Sequence, residues 1–147
     1  MPVEDPPIEE EGEQQTSPRQ LRILLVDDDL MVLYSMRNIL EQDGHVVTTA
    51  VSGQEGIDAF TAALAEGTPF SVVITDLAMP DVHGRKVAAS IKAVSAETPV
   101  ILLTGWADGL LKEHAMPPHV DRMLGKPPRL AELRAALATL TITQPAR

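Results

Sequence analysis

The chain has no cysteine among its 147 residues. That excludes a disulfide framework and a thiolate metal site, and it suits a reducing compartment. Basic residues are few: 12 Lys and Arg stand against 21 Asp and Glu, for a net charge of -9. Direct nucleic-acid binding is not expected, because phosphate backbones need a basic face. No uninterrupted apolar stretch approaches the roughly 18 residues a membrane span requires. The acidic, Pro-rich N-terminus lacks the basic and apolar regions of a secretory signal. These absences point to a soluble cytoplasmic chain with neither a membrane nor a nucleic acid as partner.

What is present fits one domain, with 44% hydrophobic residues to fill a single core. The charge is unevenly spread. Glu4, Asp5, Glu9, Glu10, Glu11 and Glu13 stand against Arg19 alone in residues 1–20, a net of -5 there and -4 in the remainder. Residues 1–19 also carry Pro2, Pro6, Pro7, Gly12 and Pro18 and have little to bury, so they are expected to be disordered. A solvated tail is favoured over a partner-binding arm. The folded domain is placed at 20–141 and a short tail at 142–147. With so little chain after the last predicted helix, no attached output domain is expected, and Met1 favours a free-standing chain over a piece of a hybrid kinase.

Four apolar runs each end on a residue that phosphate chemistry can use. Ile23–Val26 runs into Asp27 and Asp28, Val72–Thr75 into Asp76, and Val100–Leu103 into Thr104. Val120–Leu124 leads through Gly125 to Lys126. Short runs rich in Val, Ile and Leu, separated by helical periodicity, read as buried parallel strands. Strands are predicted over 21–26, 45–50, 70–75, 99–103 and 120–124. Helices are predicted over 30–42, 53–65, 84–94, 107–115 and 129–140. Asp29 is the expected N-cap of the first helix, and Gly44 and Gly67 are expected stops. Val32, Leu33, Met36, Ile39 and Leu40 form the core face of the first helix, and Leu130, Leu133, Leu137 and Leu140 that of the last. Five β/α units with right-handed crossovers give an α/β fold, a doubly wound five-stranded parallel sheet of flavodoxin-like order 2-1-3-4-5.

Ligands of such sheets sit beyond the carboxyl ends of the strands, so Asp27, Asp28, Asp76, Thr104 and Lys126 should converge. Three crowded carboxylates repel one another, and at least one pKa should rise. A cation relieves the repulsion. An all-oxygen donor set without His or Cys favours Mg2+, with Mn2+ as second choice. One carboxylate could then serve as a nucleophile toward a phosphoryl donor, with the lysine and the hydroxyl serving the phosphoryl oxygens.

This constellation resembles the receiver domain of two-component response regulators over roughly residues 21–140. The pieces are Leu25-Val26-Asp27-Asp28, Asp76-Leu77-Ala78-Met79-Pro80, Leu103-Thr104-Gly105 and Gly125-Lys126-Pro127. The resemblance implies that Asp76 is the phosphoacceptor. It implies that Asp28 holds the metal directly and Asp27 partly through water, with Asp76 and the backbone carbonyl of Ala78 completing the set. Thr104 is then the switch hydroxyl and Lys126 the phosphoryl-binding lysine, often followed in this family by a cis bond to proline. The implied donor is a sensor histidine kinase or histidine phosphotransfer protein. The implied output is a shift of the surface built from the fourth helix, fifth strand and fifth helix. The implied state is a monomer or a weak phosphorylation-dependent dimer. Such a chain is a phosphoacceptor that assists its own phosphorylation and dephosphorylation, not a turnover enzyme.

Three positions depart from the family pattern. Met123 stands where an aromatic switch residue is common and has no hydroxyl. Ala78 and Trp106 occupy positions that tune hydrolysis; Ala78 cannot orient a water and Trp106 could shield the site, so slow self-dephosphorylation is expected. Pro117-Pro118 cuts the fourth helix short. His45, His83, His114 and His119 have no metal-ligand spacing, and His45 and His83 are expected to be exposed. The enzyme alternative is a haloacid-dehalogenase-type phosphatase using Asp27 as nucleophile, although Asp27-Asp28-Asp29-Leu30-Met31 satisfies only the first part of that motif.

Overall fold

A computed structural model of the chain describes residues 20–105 and 116–141. The acidic tail, the predicted fourth helix with Trp106 and His114, and the tail from 142 lie outside the described residues. Five strands, β1 (Arg22–Val26), β2 (Val46–Ala50), β3 (Val72–Asp76), β4 (Val100–Thr104) and β5 (Arg122–Gly125), form one parallel sheet in the order β2-β1-β3-β4-β5. The helices among the described residues are α1 (Leu30–Gln42), α2 (Gly53–Ala65), α3 (Gly84–Val94) and α4 (Leu130–Thr141).

The apolar runs work because alternate residues face opposite sides of the sheet. Ile23, Leu25, Val72, Ile74, Ile101 and Leu103 pack with Leu33, Met36 and Leu40 of α1 and Leu133, Ala136 and Leu137 of α4. Leu24, Val26, Val73, Val100 and Leu102 pack with Phe60 and Ala63 of α2 and Val87, Ala88 and Ile91 of α3. Both faces are thus covered, which is why the inner strands carry no polar alternation.

The helix starts are fixed by side chains. Asp29 caps α1 by accepting from Met31 N at 3.0 Å and Val32 N at 3.4 Å. Ser52 caps α2, accepting from Glu55 N at 3.1 Å, while Glu55 reaches back to Val51 N at 3.0 Å; this is close to a capping box. The predicted bounds of the first three helices coincide with α1, α2 and α3. β3 and β4 each run one residue past the predicted end, because Asp76 and Thr104 keep ladder partners in Leu103 and Gly125.

Two expectations need correction. His45 is buried, with 7% of its surface exposed, and its Nδ1 accepts the Leu21 amide at 3.1 Å. Leu21 precedes β1 and has no ladder partner for that amide, and the imidazole supplies one. His83 is exposed as expected, yet its Nδ1 accepts from Arg85 N at 3.3 Å and caps α3. Leu130, placed on the core face of the last helix, is instead 38% exposed at its first turn; Ala136 takes the buried position. Arg134 of α4 clamps Asp43 at the end of α1 through two bonds of 2.9 Å.

Candidate functional site

Register brings the candidates together. Val26 pairs with Thr75, Asp76 with Leu103, and Thr104 with Gly125. The residues at or just past these rungs, Asp27, Asp76, Thr104 and Lys126, therefore share the carboxyl edge of the sheet. Lys126 Nζ lies 3.2 Å from each oxygen of Asp27 and 3.1 Å from Asp76 Oδ2. Asp27 is fully buried and also accepts from Asp29 N at 2.9 Å. Asp28 is exposed, and ligand oxygens of Asp27, Asp28 and Asp76 all lie within 4.8 Å of one another. Asp76 is 4% exposed.

One ammonium does not balance three acids. Burial pushes the Asp76 carboxyl up to about 6, and the Asp27 charge adds to that rise against the opposing pull of Lys126. Burial also raises Asp27, countered by the Asp29 amide and then by Lys126. Burial alone would lower Lys126, but its hydrogen bond and charge interaction with Asp76, followed by those with Asp27, outweigh it and raise its pKa. All three shifts describe one site with surplus negative charge in a poorly solvated place.

Among the described residues, two buried side-chain oxygens lack a hydrogen-bond partner: Thr104 Oγ1 and Asp27 Oδ2, the latter within ion-pair distance of Lys126 but outside hydrogen-bond geometry. Buried polar atoms are rarely left so, and both belong to residues of this edge. A hard cation beside the acids and an oxyanion beside Thr104 and Lys126 fit these unsatisfied groups. The all-carboxylate donor set is the kind magnesium takes.

The loop after β3 is held tightly. A Cβ on Gly84 would collide with the Asp76 carbonyl oxygen and lie 2.9 Å from Leu77 Cα, and Gly84 N donates to Leu77 O at 2.9 Å. The loop carries Ala78, which is exposed, and Met79, which is buried. Met123 is half-buried on β5 and packs on the α2–α3 side of the sheet. The Lys126–Pro127 bond is cis. Trp106 lies outside the described residues. The roles of His45 and His83 escaped sequence reasoning. A histidine just before a glycine-led helix is a readable capping signal; the burial of His45 has no local signal.

Fold and site together define a doubly wound α/β protein with an acid–lysine pocket at the carboxyl edge of its sheet. The chain belongs to the response regulator receiver domain family, whose pattern matches residues 23–138. A response regulator receiver domain protein from Clostridium thermocellum is 33% identical with a TM-score of 0.74, the match covering 83% of this chain and 94% of that one. TrrA from Thermotoga maritima, solved in complex with Mg(2+)-BeF, is 27% identical with a TM-score of 0.70, covering 82% and 98%. The cell cycle response regulator CtrA of Brucella abortus is 30% identical over 87 residues, 59% of this chain and 35% of that protein. The chain thus spans about a third of the length of the curated relatives it matches. Receiver domains bind magnesium at an acidic cluster and are phosphorylated by histidine kinases or phosphotransfer proteins. No helix among the described residues is long and apolar enough to cross a membrane.

Proposed function

We propose that this receiver accepts a phosphoryl group on Asp76 from a phosphohistidine of a sensor kinase or phosphotransfer protein. The observation that carries the reading is the placement of Lys126 Nζ at 3.1 Å from Asp76 and 3.2 Å from Asp27, inside a trio of carboxylates. Asp27, Asp28, Asp76 and the Ala78 carbonyl would hold magnesium, which when bound supplies the positive charge that lets an anionic donor enter an acidic pocket.

The chain's own groups do the rest. An Asp76 carboxylate oxygen attacks phosphorus, the phosphorus–nitrogen bond breaks, and the imidazole leaves with the bonding electron pair. Lys126 then exchanges its contact with Asp76 for one with a phosphoryl oxygen. The Thr104 hydroxyl, which has no partner among the described residues, donates to another. Its displacement next to Gly125 of β5 is the local event that biases the output surface of the predicted fourth helix, β5 and α4. Met123 makes that coupling rely on packing in place of an aromatic hydroxyl. Ala78 offers no group to orient a water, which favours a long-lived phosphoryl group. Output through this surface, in a monomer or a weak phosphorylation-dependent dimer, completes the reading. The family assignment leaves the haloacid-dehalogenase-type phosphatase, with Asp27 as nucleophile, without support.

The test is incubation with magnesium and a small acyl-phosphate donor, followed by intact mass. Wild type should gain one phosphoryl group and Asp76→Asn none. Phosphorylation of the Asn variant at the wild-type rate, or steady turnover of a generic phosphate ester, would overturn the proposal.

A further inference from the structure

The first turn of α2 carries two buried glycines, Gly53 and Gly56, in a place where glycine is a poor helix former. The cap formed by Ser52 and Glu55 supports the turn but does not explain them. Close approach does. A Cβ at Gly56 would lie 2.7 Å from Val26 Cγ2 and 3.2 Å from Cγ1. A Cβ at Gly53 would collide with the Val82 carbonyl oxygen and lie 2.7 Å from Val82 Cβ.

Those two neighbours belong to the two segments that carry the acids. Val26 is the last residue of β1, fully buried, and directly precedes Asp27. Val82 sits in the loop that leaves Asp76 and is pinned at its far end by Gly84 against the Asp76 carbonyl. Val26 cannot yield, because it is β-branched and lies in a strand flanked by β2 and β3. A methyl at position 56 would therefore lift α2, and the lift would withdraw Gly53 from Val82.

We infer that Gly53 and Gly56 are positioning residues: the bare first turn of α2 seats against Val26 and Val82 together and fixes where Asp27 and the loop after Asp76 stand. The inference rests on reading the acids as the magnesium-dependent acceptor site. Neither glycine touches the reacting groups; both act through their neighbours.

The full chain is tested for magnesium affinity by titration calorimetry, for phosphorylation rate by intact mass, and for thermal midpoint. Gly56→Ala should weaken magnesium binding about tenfold, as loss of support behind metal ligands does, and slow phosphorylation in step. Adding Val26→Ala removes both clashing methyls and leaves only Val26 Cβ at 3.5 Å, so the double variant should recover to within about threefold of wild type. Gly53→Ala should also weaken binding, and Val82→Ala should not rescue it, because the carbonyl remains. A lower thermal midpoint with unchanged magnesium affinity, or a double variant that does not recover, overturns the inference. Should Gly56→Ala not fold, Gly53→Ala and the double variant decide by the same measures. If wild type accepts no phosphoryl group, the functional reading fails separately. The amide shifts of Asp27 and Leu77 in metal-free protein, which should move in Gly56→Ala and return in the double variant, then decide the positioning.

Discussion

Metal-free protein should become more stable when its candidate acceptor is neutralised. Asp76 is almost fully buried, and its carboxyl is raised from 3.8 to about 6. Between those values the folded chain keeps a proton that the unfolded chain has released. Stability therefore falls as pH rises through that window, and the loss is complete above pH 6. A rise of this size corresponds to roughly 3 kcal/mol. Asp76→Asn stays neutral throughout. It should match wild type below pH 3.8 and exceed it by about 3 kcal/mol at pH 7.5, on the order of 10 °C in thermal midpoint for a domain of this size. Urea unfolding followed by circular dichroism, in a chelator and at steps from pH 4 to 8, measures the difference directly. Magnesium should shrink it, because a ligand that binds only the folded wild type adds about 2.7 kcal/mol at one hundred times its dissociation constant. An Asn variant no more stable than wild type at pH 7.5, or one whose advantage persists unchanged at pH 4, would refute the account of the site as surplus negative charge.

Burial lowers the His45 pKa below 6.5, although Asp43 pulls the other way. Its contribution is therefore complete above pH 6.5 and is lost as pH falls below it, and His45→Ala should flatten the stability profile on that acidic side while lowering it overall. Arg134→Ala should lower stability by about 1 kcal/mol, the half-exposed arginine being partly screened, and Arg134→Lys should restore little, since lysine cannot reproduce the fork; urea midpoints at low and high salt separate the two. Ala78→Asn should accelerate loss of the phosphoryl group, read by intact mass over time, and an unchanged lifetime would remove Ala78 from the hydrolysis account.

The core was legible where the physics is local. Continuous apolar runs in the inner strands and 3.6-residue spacing in α1 arise from neighbouring residues, so the buried strands and the core face of α1 could be assigned from order alone. The capping of Asp29 was equally readable. Strand ends were not, because the rung from Asp76 to Leu103 is made by a segment 27 positions away. The convergence of Asp27, Asp76, Thr104 and Lys126 could be foreseen from topology, since each follows its own apolar run. The clamp between Asp43 and Arg134 spans 91 positions and has no local trace. His45 misled for a related reason: a polar residue beside a turn reads as solvent-facing until the unpaired amide of Leu21 is seen to need it. The glycines of α2 look like weak helix formers in sequence, and only the nearness of Val26 and Val82 gives them meaning.

Lys126 belongs to the last strand's exit, yet it neutralises acids on the first and third strands, which β4 separates from it in the sheet. Pairing of β5 with β4 is what carries the ammonium to those acids, so the charge balance of the site depends on the edge rung of the sheet.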